Sequence, residues 1–478
     1  MKYKIFPYIF ITAFILLWST ITAITSYNLP LDVLENLSWG QLWQWGYYKH
    51  PPLQAWLQEL MVMIFGHQDW PAYLLGFASV GLSFYGVYAI AKWFKYPGWL
   101  AALLPVGAAS IYYYTFRATE FNANVASLPI WVAYIAVFLR ACEYKNIPYW
   151  LLLGFIAALG MYTKYSFAIL LFASLPSILI IKKYRPLLWH YGPYLAVLVM
   201  MACLLPHIVW LIRTDFLPLQ YIGESVAIKV SILHHIFNPL IFALIQLSVS
   251  LSALVIFWFV AQPRFKSQYS ASEKLAISMV ITPLITMMLI GWLSPAGLRI
   301  FWGYTLPITF VFLWAIIFDW QKRERPIIAY IAILILLLPL VTYTAIRLGR
   351  PYIKDYGKRI DYDGLTFAQT AKEYWYKNTG QPNLPILLAG DHWAIENISW
   401  YSAERPFVVV GGHENLNPWI YNIDLPQKIL WVGWGKPTNE AKEFITHVEQ
   451  VNFGWHNKRY KRKNPYYFAI IDRADIKK

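Results

Sequence analysis

Cysteine is nearly absent: the 478 residues hold two, Cys142 and Cys203, both in or beside apolar runs. They read as small core hydrophobes. With no Cys-x-x-Cys pair, neither a zinc framework nor a disulfide framework is available. Charge is scarce as well. Charged residues make up 14% of the chain, against roughly 25% in soluble proteins, and they gather in short clusters and in the last quarter. The net charge of +15 forms no long basic stripe along one element, which argues against a nucleic-acid partner. The dense cluster Lys458, Arg459, Lys461, Arg462 and Lys463 reads as a solvated or lipid-headgroup-facing loop.

What the chain has instead is apolar length. Apolar residues reach 58% and the mean hydropathy is +0.42. Long apolar runs recur from residue 5 to about 346, as in a polytopic α-helical membrane protein. The 24 Trp and 35 Tyr fit interfacial belts, and equally fit stacking surfaces for sugars. The first run follows Lys2 and Lys4, is long for a signal peptide and has no clean cleavage site. It reads as an uncleaved span with its N-terminus inside the cell. Further spans are expected at roughly 70–91, 98–115, 122–141, 148–162, 165–181, 190–212, 235–262, 275–294, 300–318 and 326–346, about eleven in all. The segment 148–162 is short and carries Gly154 and Gly160, so it is expected to be tilted, broken or buried in protein.

Loop charges support that register. It places Lys92, Lys95, Arg140, Lys145, Lys182, Lys183, Arg185, Arg264, Lys266, Lys274, Lys322, Arg323 and Arg325 inside with Lys2 and Lys4. The outer side receives Lys49, Arg117, Lys164, Arg213, Lys229 and Arg299 before residue 347. The organisation is therefore a transmembrane domain, 1–346, with a first outer loop at 27–69, and an extracytoplasmic α/β domain at 347–478. In that domain 384–390, 406–412, 427–434 and 466–473 read as strands. The stretches 365–377, 391–403 and 438–448 read as helices, and the alternation suggests a partly parallel sheet.

The polar oddities all fall on the outer side. The stretch from Leu31 to Leu60 holds Asp32 and Glu35, which with Asn36 share one face of a helix. It then runs Tyr47-Tyr48-Lys49-His50-Pro51-Pro52, where the prolines forbid a continuing helix. Arg117, Glu120, Asn122 and Asn124 lie between the third and fourth spans; Thr163-Lys164-Tyr165 and Arg299 mark later outer junctions. Charges at membrane depth are kept facing a cavity or a partner. Cations there could hold a lipid phosphate. A facing carboxylate could act as general base toward a hydroxyl or amine. Together they describe transfer of a group from a lipid-phosphate carrier to an acceptor outside the cytoplasm.

The run from Asp32 through GYYKHPPLQAW resembles the signature of GT-C glycosyltransferases of the protein O-mannosyltransferase and aminoarabinose transferase type. LLLGFIAALGMYTKYSFAILL, LRIFWGYTLP and WYSAERPFVVV extend the resemblance over nearly the whole chain. It implies a polyprenyl-phosphate sugar donor, a lipid, glycan or protein acceptor, and usually inversion at the anomeric carbon. Carried over by position, Asp32 is the base, and Lys164, Arg299 and His50 bind the donor phosphate; among the outer-side charges Glu35 joins as a second carboxylate and Arg117 as a further phosphate-binding cation. Tyr47, Tyr48, Glu120, Asn122 and Tyr165 line the substrate. No cofactor is certain; Lys49 stands where relatives carry an acid, which disfavours a divalent metal. The resemblance also implies a bacterial inner-membrane protein working on the periplasmic or extracellular side.

Plainer readings stand beside these. Asp32 could cap the helix after Pro30, with Glu35 its capping-box partner. His50 could be a loop residue, and Lys164 or Arg299 could snorkel to the interface. His207, His234 and His235 read as core or interface residues, and Asp391 as a helix cap before His392. Intramembrane charge also suits a transporter or lipid flippase, although no inverted repeat is visible. A third possibility is a receptor whose outer domain binds the ligand.

Overall fold

The computed structural model describes residues 2–226, 231–294, 297–322, 327–410, 416–422, 426–435 and 445–472. The helices in chain order are α1 (Lys2–Thr25), α2 (Leu31–Gly40), α3 (Leu53–Phe65), α4 (Trp70–Trp93), α5 (Gly98–Ala109), α6 (Ala123–Tyr144), α7 (Ile147–Thr163) and α8 (Ala168–Ile180). They continue with α9 (Tyr191–Arg213), α10 (Leu217–Val226), α11 (Ile232–Val260), α12 (Ala271–Leu293), α13 (Leu306–Ile317), α14 (Ile327–Ile353), α15 (Gly364–Thr379) and α16 (His392–Tyr401). The strands are β1 (Ala261–Phe265), β2 (Phe318–Lys322), β3 (Leu387–Gly390), β4 (Phe407–Val410), β5 (Lys428–Gly433), β6 (Ile445–Phe453) and β7 (Asn464–Asp472).

The chain divides into two compact units. One comprises 1–20, 49–54 and 73–343; the other comprises 21–48, 55–72 and 344–478. Most of the segment 27–69, expected as a first outer loop, thus counts with the C-terminal part.

Each expected span carries a helix over most of its length, and the protein is an integral membrane protein. Seven helices among the described residues, α1, α4, α6, α9, α11, α12 and α14, are long and apolar enough to cross a membrane unaided. An eighth span is reached only if Tyr165–Ile180 and Lys182–Trp189, bent 114° from it, are taken together as one. The remaining three, α5, α7 and α13, are shorter, with 12, 17 and 12 residues. A 12-residue helix covers only about 18 Å of a roughly 30 Å hydrocarbon core. Their shortness has local causes. α5 gives way to a 3-10 turn at Tyr112–Tyr114. α13 is preceded by another at Ile300–Gly303 and has a proline at its start. The two turns are tied together. Tyr304 Oη donates to the Tyr113 carbonyl at 2.7 Å, and Tyr114 Oη donates to the Tyr304 carbonyl at 3.1 Å. An apolar cavity of about 260 Å³ lies among α6, α7, α8 and α9, lined by Trp150, Ala157, Ser174 and Met200 among others.

In the second unit a five-stranded sheet runs in the order β4-β3-β5-β7-β6. β3 pairs in parallel with β4 and β5, while β7 is antiparallel to β5 and β6. The partly parallel sheet is as expected. One element differs: 445–448, expected at the end of a helix over 438–448, belongs to β6, and 438–444 lies outside the described residues. A bulge between Thr446 and Glu449 inserts one residue into the strand there. The sheet core gathers Ala389, Val409, Trp419, Ile420 and Ile429. α16 packs on α2, which is buried along Val33–Gly40. Gly390 ends β3 at φ 129°, where a Cβ would meet the Val432 carbonyl, so glycine is required there. The chain then turns directly into α16.

Candidate active site

α2 begins after Pro30, which itself occupies the N-cap position. Asp32 is therefore not the cap. It sits half-buried in the first turn, where its charge complements the exposed amides of the helix start. Glu35 is not a capping-box partner either. Its carboxylate is buried, at 3% exposure, and Oε1 lies 2.9 Å from His392 Nε2. Tyr48 Oη donates to the same oxygen at 3.3 Å. On the other edge of the ring, His392 Nδ1 lies 2.6 Å from Glu396 Oε1, one helical turn along α16. Burial alone would lower the His392 pKa, but Glu396 and Glu35 prevail and raise it to about 10. Asp391 caps α16 as expected, its Oδ1 accepting from the Ala394 amide at 3.1 Å. Tyr47 and Tyr48 are buried against Trp39, the first stacked at 5.0 Å and the second edge-on at 5.7 Å.

A clamp fixes α2, α3 and the end of α16. Arg405 bonds Glu59 through both terminal nitrogens, at 3.1 and 2.8 Å, and donates to the Leu37 carbonyl at 3.3 Å. Its guanidinium also lies over the Trp400 ring at 5.1 Å. Arg405 holds φ at 44°, unusual for a residue with a side chain. α2 and α3 approach so closely that a Cβ on Gly40 would lie 2.7 Å from the Ala55 carbonyl. Nearby, the Asp69 carboxylate accepts from Trp400 Nε1 at 2.7 Å and Tyr401 Oη at 2.9 Å, while burial raises its pKa. His67 meets the Trp400 carbonyl, and burial holds its pKa below the usual imidazole range.

The expected phosphate-binding residues fall in the first unit. Lys164 caps the C-terminus of α7, and its Nζ donates to Asn124 Oδ1 at 2.7 Å. Asn122 is the N-cap of α6, accepting from the Asn124 and Val125 amides. It thereby fixes the turn that carries the partner of Lys164. Tyr165 Oη and the buried His207 Nε2 are 3.1 Å apart. Arg117 is exposed, its guanidinium 4.4 Å from the Phe301 ring. That ring stands two residues after the exposed Arg299. Glu120 and His50 are half-buried. Lys49 rests over the Tyr221 ring at 5.8 Å. Asp32, Glu35, Tyr47 and Tyr48 belong to the second unit; His50, Arg117, Glu120, Asn122, Lys164, Tyr165 and Arg299 belong to the first.

The His392–Glu396 and Glu59–Arg405 pairs are not among the residues expected from the sequence. Signals existed for both. His392 and Glu396 stand at i, i+4, and Glu59 is the one acid in the otherwise uncharged LQAWLQELMVMIF.

The fold, a polytopic set of apolar helices with a small C-terminal α/β domain, is like that of solved membrane proteins. The sequence pattern of the family described as "Dolichyl-phosphate-mannose-protein mannosyltransferase" matches residues 49–210. The solved structure of ArnT from Cupriavidus metallidurans bound to undecaprenyl phosphate superposes with a TM-score of 0.61 at 13% identity, covering 96% of this chain and 97% of that one. The apo structure of the same protein gives the same values, TM-score 0.61 and 13% identity. No curated protein matches the chain in sequence.

Proposed function

We propose that the chain is a membrane glycosyltransferase, moving a sugar from a polyprenyl-phosphate donor to an acceptor at the outer face of a bacterial inner membrane. The observation that carries this reading is the end-to-end fold likeness to a protein solved with undecaprenyl phosphate. In this reading the acceptor hydroxyl or amine attacks the anomeric carbon and gives its proton to the Asp32 carboxylate. The bond from that carbon to the phosphate oxygen breaks, and the polyprenyl phosphate leaves as an anion. Lys164, Arg117, Arg299 and His50 stabilise its charge, so the leaving group needs little acid help. Lys164 suits the part because Asn124 holds its ammonium in a fixed place.

The test uses the full-length protein in detergent, given a polyprenyl-phosphate sugar labelled in the sugar. Release of free polyprenyl phosphate with label on the acceptor is expected. Asp32→Asn should lower that rate by roughly 10²–10⁴-fold, the usual worth of a general base, with melting unchanged. Full activity in this variant rules out the assigned base. Donor bound or translocated without release, in the wild type, marks a lipid transporter instead.

A further inference from the structure

We propose that the apolar cavity among α6, α7, α8 and α9 binds one acyl chain of an anionic glycerophospholipid from the surrounding bilayer, with the headgroup on Lys182 and Arg185. The cavity measures about 260 Å³. Phe138, Leu153, Leu171 and Met200 are among its lining, and its rim reaches the bundle surface, where Leu175, Tyr194 and Val197 are exposed. Those three stand on α8 and α9, in segments apolar enough to lie in hydrocarbon. What fills the recess is therefore a chain, not water.

Hydrocarbon alone does not make a site. Lipid tails are as apolar as the lining, so shape and polar contacts have to select the occupant. Two features do so. First, Trp150 Nε1 is buried, belongs to the lining and has no hydrogen-bond partner among the described residues. The other polar side chains of the lining are paired: Tyr134 Oη and Ser174 Oγ are 2.9 Å apart, and Tyr194 Oη donates to the Leu188 carbonyl at 2.6 Å. A leftover donor in an apolar recess calls for an acceptor carried by an apolar molecule. The ester carbonyl at the head of an acyl chain is such a group.

Second, the mouth is basic and aromatic. Beyond Ile180 the chain bends by 114° into the 3-10 helix Lys182–Trp189. Exposed Lys182 and Arg185 fall there between Ile178 and Leu188, both of the lining. Arg185 Nε donates to the Leu179 carbonyl at 2.7 Å, which holds its guanidinium at the end of α8. Lys183 is engaged by Glu143 at 2.7 Å. Trp189 is 92% exposed, and Tyr191 and Tyr194 are exposed as well, the residue types of a membrane–water boundary. Cations beside an apolar recess at that boundary suit a phosphate headgroup whose chain enters the recess. The site is also remote from the proposed donor phosphate. Trp150 lies near the start of α7 and Lys164 follows its end, about 20 Å apart along the axis. A headgroup at Arg185 belongs to a second lipid, at the end of the bundle that loop charges place inside.

The experiment takes full-length protein delipidated in mild detergent and titrates it with dioleoyl phosphatidylglycerol, dioleoyl phosphatidylcholine or sugar-free polyprenyl phosphate. Bound lipid is counted by native mass spectrometry, with thermal melting as the check on folding. Wild type should bind one phosphatidylglycerol more tightly than further copies, and more tightly than phosphatidylcholine. Trp150→Phe should weaken that first binding about fivefold, the usual worth of one hydrogen bond. Arg185→Gln should narrow the preference for phosphatidylglycerol by a similar factor, and Ala157→Leu, which fills the recess, should weaken both phospholipids by roughly tenfold or more. Equal binding by wild type, Trp150→Phe and Ala157→Leu overturns the site. Displacement of the phosphatidylglycerol by polyprenyl phosphate, itself lost in Ala157→Leu, overturns it too, by giving the recess to the carrier's tail. If Ala157→Leu does not fold, wild-type binding by both Trp150→Phe and Arg185→Gln is the refuting result.

Discussion

Arg405 offers a sharp test of how the second unit is held. Its side chain is 15% exposed and that of Glu59 is 11%, so the bidentate pair is largely desolvated. Removing one partner of a buried pair strands the other and destabilises by about 3–5 kcal/mol. At roughly 2–4 °C per kcal/mol for a unit of this size, Arg405→Ala should lower its melting temperature by about 6–20 °C. The backbone adds a second lever. At φ 44° a residue with a Cβ sits in a region costing roughly 1–2 kcal/mol. Arg405→Gly loses the same pair but relieves that strain, so it should be less destabilised than Arg405→Ala by about 1 kcal/mol. Arg405→Met combined with Glu59→Leu removes both charges and should recover most of the loss. The assay is thermal unfolding of detergent-solubilised protein, followed by fluorescence of the tryptophans beside the clamp. An Arg405→Ala protein melting within about 2 °C of wild type refutes the reasoning, because less than about 1 kcal/mol would then separate them.

Other perturbations have equally definite outcomes. Gly40→Ala places a methyl group 2.7 Å from the Ala55 carbonyl and 2.8 Å from Glu59 Cβ. It should destabilise by about 1–3 kcal/mol, and an unchanged melt would show that α2 and α3 can separate freely. Lys164→Gln should raise the concentration of polyprenyl phosphate needed for half-inhibition of transfer at least tenfold while leaving the melt intact; an unaltered inhibition curve removes Lys164 from the phosphate site. His67 has its pKa lowered by burial, so the unfolded chain takes up the proton first. Its contribution to stability is therefore complete above about pH 6.5 and falls as the pH drops below it. Melts at pH 7.5 and 5.5 should show wild type losing more than His67→Gln, and equal losses would exclude that titration.

The membrane architecture was legible because hydrocarbon imposes a simple rule on sequence, and each expected apolar run carries a helix over most of its length. The truncated α5 and α13 were harder to see. A run such as 98–115 is apolar throughout, and only the hydrogen bonding among Tyr113, Tyr114 and Tyr304 reveals where the helix stops. Asp32 and Glu35 were visible as oddities and position favoured Asp32 as the base, but the partner of Glu35 was not visible. Both are acids on one helix, and only the fold brings His392 to Glu35. The first residues of β6, 445–448, were misread as the end of a helix. Local pattern carried the elements; partners hundreds of residues away set the environment of each polar group.

That separation bears on how the protein is made. Glu59 meets Arg405 across 346 positions, and Asp69 meets Trp400 across 331. The ribosome adds about 5–20 residues per second, and 271 residues lie between positions 72 and 344 of the second unit. Once its first-loop segments are synthesised, they must therefore wait roughly 15–55 s before the first of their C-terminal partners emerges. During that interval Glu35, Glu59 and Asp69 have no His392, Arg405 or Trp400 to receive them. Until then these segments belong to an unfinished unit. Premature termination near residue 344 would leave it permanently in that state.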